Sequence, residues 1–136
     1  RAWSYDKLQT SKLGNSVKHW AKRTGKKCPQ CDKKFDTFSS NTEIAFGHIV
    51  SQDWAKSFTF LLKIVNHPDN LYLTCQPCNA SLGNRFPDFK NWRKISGSNE
   101  TLRDKIEKYD TEMGGTIGDW IRNHANDIEQ TTSKQN

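Results

Sequence analysis

Two pairs of cysteines are the residues whose type and spacing point most directly to chemistry. Cys28 and Cys31 form one Cys-x-x-Cys turn, Cys75 and Cys78 form a second, and the chain has no other cysteine. Such a turn brings two thiolates close enough to bind one tetrahedral ion at Zn–S distances of about 2.3 Å. Because four thiolates fill every position around that ion, the spacing predicts a closed, structural Zn²⁺ site.

Two other uses of these cysteines remain open. Two disulfides would suit a secreted protein, but both pairs have metal-knuckle spacing and no hydrophobic signal segment opens the chain. A thioredoxin-like redox site uses a single Cys-x-x-Cys turn, whereas this chain has two, on either side of a predicted strand. Zinc binding is the interpretation that both spacings favour.

One histidine and two asparagines lie close to the cysteine pairs. His48 is in the segment FGHIVS at 46–51, Asn70 is in DNLYLTC at 69–75, and Asn79 directly follows Cys78. On its own, a histidine in an alternating strand is more often a packed residue than a catalyst. However, an imidazole with a pKa near 6.5 is suited to act as a general base at neutral pH if a partner fixes its tautomer.

These pieces, in this order, resemble the HNH endonucleases, the zinc-stapled branch of the ββα-metal (His-Me finger) nucleases. The likeness rests on CPQC, FGHIVS, DNLYLTC and CQPCNASLGN and covers roughly residues 28–85. It is greatest for the asparagine-type (HNN) members, which include phage enzymes that resolve branched DNA and HNH proteins of phages and large DNA viruses. The resemblance implies an α+β, mostly helical fold with a ββα-metal finger stapled by a four-cysteine zinc site.

The resemblance also implies a role for each motif residue. His48 would activate water for attack on a phosphodiester, and the Asn70 side chain would hydrogen-bond backbone across the finger and so hold His48 in orientation. Asn79 would supply an oxygen ligand to one catalytic Mg²⁺ or Mn²⁺. The products would carry 5′-phosphate and 3′-hydroxyl ends.

The sequence departs from the family pattern in two places. Many members have Asp before the catalytic histidine as a metal ligand, but this chain has Gly47. Either Asn79 binds the ion together with substrate phosphates and water, or another nearby group replaces the carboxylate. The candidates are Asp53, His67, Asp69 and Asn84, although the context of His67 favours an ordinary loop residue over a ligand. The second departure is the segment 52–66, which is longer and more apolar than the Gly-rich loop common there.

Length and composition limit the size of the domain and of the core that position the motif residues. A chain of 136 residues fits one domain. Only 33% of its residues are apolar and its mean hydropathy is −0.91, which predicts a small core that needs a staple. We divide the domain into basic N-terminal helices (1–27), a zinc-stapled core (28–86), C-terminal helices (87–130) and a frayed tail (131–136).

Periodicity predicts the individual elements. A helix is expected over 4–24, with a possible break at Gly14 and a stop at Gly25. Alternation predicts a strand within 43–50, and the short segment 71–75 is its return strand. Further helices are predicted over 53–65, from the second knuckle onward, from Pro87, over 98–113, and in a last amphipathic segment lined by Ile117, Trp120, Ile121 and Ile128.

Positive charge is concentrated at one end of the chain. The net charge is +6 and the pI is near 9.2, and residues 1–34 contain ten of the 21 Lys and Arg but two of the 15 acids. Such asymmetry predicts contact with a polyanion, although a solvated helix face explains it equally well. The residues we expect to contact DNA are Lys18, Lys22, Arg23, Lys26, Lys27, Lys33, Lys34 and Arg85.

The favoured expectation is therefore a metal-dependent DNA endonuclease. A catalytically inactive zinc-ribbon module that binds nucleic acid is the alternative, and a protein-interaction zinc domain is a weaker third. With no membrane-spanning segment in the sequence, we expect an intracellular protein, either cytoplasmic or encoded by a phage or virus and acting in the host cell. The monomer and the homodimer both remain open.

Overall fold

The computed structural model describes residues 3–56, 62, 65–83 and 115–134. These residues confirm the predicted α+β class, which is mostly helical with one two-stranded antiparallel sheet. In chain order the elements are α1 (Tyr5–Thr10), α2 (Lys12–Arg23), β1 (Ile44–His48), α3 (Gln52–Ala55), β2 (Leu71–Cys75), α4 (Gln76–Leu82) and α5 (Ile117–Lys134).

The sheet lies where the alternating segments predicted it. Strands β1 and β2 run antiparallel, with Ile44 opposite Cys75 and His48 opposite Leu71. Both strands are buried on both faces over almost their whole length, because helices cover one face and the first cysteine knuckle covers part of the other. Helix α4 begins directly after β2 and packs against both strands.

Two tryptophans form the centre of the core between α2 and α5. The Trp20 and Trp120 rings lie 5.2 Å apart between centroids, in a tilted arrangement favourable for aromatic pairs. Ile117 and Ile128 are fully buried, and Ile121 packs against the same cluster. The apolar stripe predicted for the last helix is therefore confirmed as a core contact.

The break in the N-terminal helix occurs at Ser11, so the prediction of a break at Gly14 was wrong. Ser11 has extended backbone, and its hydroxyl donates to the carbonyl oxygen of Lys7 at the end of α1. Gly14 lies buried inside α2, where a Cβ would overlap the carbonyl oxygen of Leu8. Glycine is needed there because α1 folds back closely onto α2.

The predicted stop at Gly25 is confirmed. Gly25 has φ of +72°, a left-handed conformation that glycine adopts without strain. Its N–H donates to the Lys22 carbonyl at 3.2 Å, and the Lys26 N–H donates to the Ala21 carbonyl at 2.9 Å. These two hydrogen bonds form a Schellman motif that satisfies the last carbonyls of α2.

Several predicted helices fall wholly or partly on residues that are not described. Helix α3 is the described part of the helix predicted over 53–65, and the helices predicted from Pro87 and over 98–113 lie outside the described residues. Helix α5 continues to Lys134, into the segment 131–136 for which a frayed tail is predicted, and has a local non-helical turn at His124. None of the described helices is long and apolar enough to cross a membrane.

Gly14→Ala should destabilise the protein despite the higher helix propensity of alanine. The propensity gain is about 0.5–1 kcal/mol, whereas overpacking a buried contact typically costs about 1–3 kcal/mol. We expect a net loss in the free energy of unfolding, measured by urea denaturation.

Asn126→Ala, at an exposed position of α5, is the control and should change that free energy by less than about 0.5 kcal/mol. A Gly14→Ala protein as stable as the parent would contradict the close helix contact.

Candidate metal centre and active site

The four cysteines converge on one point at the junction of β2 and α4. Their sulfur atoms all lie within 4.8 Å of one another, and Cys31 Sγ is 3.8 Å from Cys75 Sγ. A tetrahedral ion with Zn–S bonds near 2.3 Å places its sulfur ligands about 3.8 Å apart. All four cysteines are free thiols. The cluster could therefore hold a structural metal ion, as the spacing predicts.

Local backbone geometry shapes the first knuckle. The Cys28 N–H donates to the Lys33 carbonyl at 2.9 Å, and the Asp32 N–H donates to the Cys28 carbonyl at 2.8 Å. Asp32 has φ of +64°, a conformation that Asp tolerates better than most non-glycine residues. The resulting tight turn presents Cys28 and Cys31 to the same side.

A buried polar network supports Cys28 from the sheet. Gln30 Nε2 donates to the hydroxyl oxygens of Tyr72 at 2.9 Å and Thr74 at 3.3 Å. Because the Thr74 oxygen accepts from Gln30, its own proton is free to reach Cys28 Sγ at 3.3 Å. Burial raises the pKa of Cys28, but hydrogen bonds from Thr74 and from the backbone of Cys75 outweigh it and bring the pKa to about 7. The network thus favours the thiolate, the form that binds metal.

His48 occupies the end of β1, held on two sides. Its Nε2 lies 2.8 Å from Asn66 Oδ1, and its ring centroid is 4.4 Å from that of Tyr5. Asn66 Oδ1 also accepts from Gln52 Nε2 at 2.9 Å, and a carbonyl oxygen cannot donate. Nε2 of His48 therefore carries the proton, so Nδ1 holds a lone pair. Nδ1 has no hydrogen-bond partner among the described residues.

The surroundings of His48 keep its imidazole neutral. Burial lowers the pKa of His48 below its ordinary value of 6.5, because the charged form loses water. The hydrogen bond to Asn66 and the charge of Asp6 oppose this shift without cancelling it. At neutral pH the ring is therefore uncharged, the form that can accept a proton.

The Asn70 side chain is hydrogen-bonded to the backbone of the loop that follows β1. Its side chain is buried, with Oδ1 accepting from the Val50 N–H at 2.9 Å. Its Nδ2 donates to the carbonyls of Val50 at 3.0 Å and Val65 at 2.7 Å. The amide makes the kind of backbone hydrogen bonds that the resemblance implies. Its part in orienting a catalytic His48 stays a prediction.

The Tyr72 ring fills the space beside Gly47, the position at which many HNH endonucleases have Asp. Gly47 lies directly opposite Tyr72 in the sheet, and a Cβ at Gly47 would lie 2.9 Å from two ring carbons and 3.1 Å from the hydroxyl oxygen. Tyr72 is itself buried and hydrogen-bonded to Gln30. A carboxylate side chain could not be accommodated here unless the tyrosine moved.

The acidic and imidazole groups considered as substitutes have other contacts. Asp69 accepts from Arg122 Nη1 at 2.8 Å, and His67 Nδ1 accepts from the Asp69 N–H at 3.1 Å as the cap of a short 3-10 turn. Asp53 is exposed on α3, and Asn84 lies outside the described residues. Within the described ranges, the cysteines alone bring three or more His, Cys, Asp or Glu side chains together around a possible ion.

Asn79 borders a groove between the N-terminal helices and α4. The groove has a volume of about 570 Å³ and runs beside the start of β1. It is lined by Tyr5, Gln9, Asn15, Lys18, Asn41, Thr42, Ile44, Ala45, Gln76 and Asn79. Tyr5 connects this groove to His48, because its ring contacts the imidazole.

Most of the basic residues expected to contact DNA contact the protein itself. Lys26 lies over the Trp20 and Trp120 rings, at 5.5 and 5.9 Å, and Lys33 lies 4.8 Å from the Phe38 ring. Further intramolecular hydrogen bonds are made by Lys18, Lys22 and Arg23. Lys27 and Lys34 are partners in an isolated β-bridge, and Arg85 is not among the described residues.

Comparisons of the chain with protein-family models, curated proteins and solved structures give no match. The function therefore has to be inferred from the site alone. Sequence reasoning missed Asn66, Gln30 and Thr74, which act on motif residues through side-chain hydrogen bonds. A polar residue at an inward-facing strand position was the available signal for Thr74, whereas no sequence pattern marks Asn66.

Thr74→Val should weaken binding of Zn²⁺ by about 10–100-fold, the usual effect of removing a hydrogen bond to a metal ligand. Valine keeps the shape of threonine but cannot donate to Cys28 Sγ. The measurement is competition for Zn²⁺ against a chromogenic chelator.

Thr74→Ser keeps the hydroxyl and should retain an affinity close to that of the parent. Equal losses in the two variants would show that packing, and not the hydroxyl, supports the cysteine cluster.

Proposed function

We propose that this protein is an endonuclease of the HNH type that hydrolyses phosphodiester bonds in DNA. The observation that carries the proposal is the geometry of His48. One ring nitrogen is fixed by Asn66, the other is unpaired among the described residues, and burial keeps the ring neutral. These are the properties of a general base prepared for proton abstraction.

The order of the surrounding elements supports the same interpretation. A strand ending in His48 is followed by a return strand that begins after Asn70, and a helix carrying Asn79 follows directly. The cysteine cluster fastens this strand–strand–helix unit at the start of the helix. This is the arrangement expected of a ββα-metal finger with a bound Zn²⁺ at the cysteines.

His48 would act at the attack step. Its Nδ1 takes a proton from a water molecule as the water oxygen bonds to phosphorus and the bond from phosphorus to the 3′ oxygen breaks. The departing oxygen takes a proton from solvent, which leaves 5′-phosphate and 3′-hydroxyl ends. The Nε2 proton is donated to Asn66, so Nδ1 is the nitrogen that is left to accept the proton from water.

A catalytic Mg²⁺ or Mn²⁺, which the resemblance implies, does not fit the described residues as a protein-built site. Mg²⁺ is usually bound through one or two carboxylates together with substrate phosphates. Here Asn79 offers a neutral amide oxygen, and Tyr72 fills the space beside Gly47. Among the described residues that line the groove, Lys18 alone is charged, and it is a cation.

The same observation favours a second candidate function. Residue 47 is glycine and Tyr72 fills the space beside it, so the finger would lack a carboxylate ligand at this position. It could then bind nucleic acid without cutting it. A zinc-stapled nucleic-acid-binding module is therefore the alternative, and it predicts binding with no hydrolysis under any metal condition.

His48→Ala should lower the rate of DNA cleavage by about 10²–10⁴-fold, the usual contribution of a general base. The measurement is conversion of supercoiled plasmid by the zinc-loaded protein, with added Mg²⁺, with added Mn²⁺ and with neither. His124→Ala removes an exposed histidine from α5 and should cut at the parental rate.

Cleavage that survives in His48→Ala would sink the catalytic assignment. Tight binding without cleavage by the parent protein under all three conditions would favour the binding module.

Asn66→Asp should move the acid limb of the cleavage rate to higher pH. A carboxylate that accepts from His48 Nε2 stabilises the charged ring and raises the pKa of His48, by about 1 unit or more for an adjacent charge. Because the protonated ring cannot act as a base, cleavage would then be lost at a higher pH than in the parent, whose limb should lie below pH 6.5.

Asp127→Asn, an exposed change in α5, serves as the control and should leave the profile unshifted. Coincident profiles for Asn66→Asp and the parent would contradict the contact between Asn66 and His48.

A further inference from the structure

The groove beside β1 is lined by polar side chains that take no part in the proposed cleavage step. Of the ten described residues that line it, five carry a carboxamide, one is a lysine and none is a carboxylate. Each carboxamide presents both hydrogen-bond donors and an acceptor, whereas the lysine presents donors alone. Such a lining suits a ligand with mixed donor and acceptor edges and a negative charge.

Two of these carboxamides are available to a ligand. The side chains of Gln76 and Asn79, both on α4, make no hydrogen bond to another described residue. On the opposite wall, Asn41 Nδ2 contacts His19 Nε2 at 3.1 Å and lies 3.4 Å from Asn15 Oδ1. One wall is therefore held by hydrogen bonds, whereas Gln76 and Asn79 on the other wall make none to a described residue and are open to solvent or a ligand.

Lys18 supplies the positive charge of the groove. Its Nζ donates to the Asn41 carbonyl at 3.1 Å and lies 5.4 Å from the centroid of the Phe46 ring. Partial burial lowers the pKa of Lys18, and neighbouring Lys22 contributes in the same direction. One hydrogen bond to Asn41 leaves two of the three ammonium donors for a ligand. A phosphate oxygen is the acceptor that this charge favours most.

Tyr5 places the groove next to the proposed reaction centre. Its hydroxyl oxygen accepts from Gln9 Nε2 at 2.7 Å, which fixes the ring at the groove wall. The same ring contacts His48 at 4.4 Å between centroids. A ligand that stacks on Tyr5 would therefore lie one aromatic ring away from His48.

We propose that this groove binds an unpaired nucleotide segment of DNA, with a phosphate on Lys18 and base edges on the carboxamides of Gln76 and Asn79. The proposal rests on the proposed function, since it names the form of nucleic acid that enters the same site. It predicts that the protein binds single-stranded segments of DNA in preference to the duplex.

Base pairing is the reason for the preference for unpaired DNA. In a duplex the pairing edge of each base is occupied, so a protein that contacts this edge must take single strands or extrude the base. A recess lined by carboxamides and one tyrosine can hydrogen-bond and stack a free base, in the way that proteins read single-stranded loops. The described part of the lining also has no carboxylate that would repel the phosphate.

The test is fluorescence anisotropy with a short dye-labelled single strand and with the same strand annealed to its complement. The zinc-loaded full chain is used without added Mg²⁺ or Mn²⁺, and the probe is checked for cleavage afterwards. Lys18→Met removes the charge of the groove, and Lys7→Met removes an exposed charge of α1 that does not line it. The two variants have the same net charge.

Lys18→Met should weaken single-strand binding by about tenfold, the effect of losing one hydrogen bond to a charged group. It should also make the slope of log K, where K is the association constant, against log salt concentration shallower by about 0.7, the value for one phosphate contact on a single strand. Lys7→Met should change both quantities less. Gln76→Ala, an exposed substitution that does not threaten the fold, should weaken the single strand and leave the duplex unchanged.

Equal affinity and equal salt dependence in Lys18→Met and Lys7→Met would overturn the proposal, as would a parent protein that prefers the duplex. The two proposals fail separately. Cleavage of plasmid with no single-strand preference removes only the groove assignment, and single-strand binding with no cleavage removes only the nuclease.

Discussion

The convergence of four sulfur atoms is the contact on which the rest of the site depends. It joins Cys31 to Cys75, 44 residues apart in the chain. Closing a loop of this length costs conformational entropy, and a chain that is only 33% apolar has a small core to offset it. A bound metal would supply that free energy directly, because its affinity for the folded site is folding free energy.

The position of the cysteine cluster also determines which parts of the site a bound ion would hold in place. Cys75 ends β2 and Cys78 lies in the first turn of α4, so an ion at the cluster would hold the helix against the sheet. Asn79 follows directly and borders the groove. The antiparallel register then places His48 at the far end of the same two strands. One metal centre would thus support the groove without taking part in the chemistry.

Side-chain amides perform the finer positioning at the far end of the sheet. Asn70 uses its oxygen and its nitrogen on backbone groups of Val50 and Val65, while Asn66 uses its side-chain oxygen on His48 and Gln52. Leaving a buried polar group such as the Asn70 amide unpaired would cost about 1–3 kcal/mol. The loop that carries these amides is therefore held in one arrangement, and so is the imidazole.

The sequence predicted those features that depend on local patterns. Alternation located β1, Cys-x-x-Cys spacing located the cluster, and Gly25 marked the end of α2. It did not reveal features that depend on which segments meet. Gly14 looked like a helix break because its contact with Leu8 exists only after α1 folds back.

Contacts across the sheet and from the following loop likewise set features of the site that the sequence alone does not reveal. The closure of position 47 by Tyr72 needs the strand register, and the tautomer of His48 needs the loop that brings Asn66 to it. Basic residues such as Lys26 looked available for DNA because sequence does not show that they pack on aromatic rings. The candidate site was thus predictable in its motif residues but not in the neighbours that set their chemistry.

The proposed chemistry depends on His48 being held as a neutral imidazole with the proton on Nε2 and a lone pair on Nδ1. Nitrogen-15 NMR of the histidine rings in the zinc-loaded protein tests it directly, with His48→Ala used to assign the signal. We expect a neutral His48 ring at pH 7, with a proton on Nε2 and none on Nδ1. A charged ring at that pH, or a neutral ring protonated on Nδ1, would contradict it.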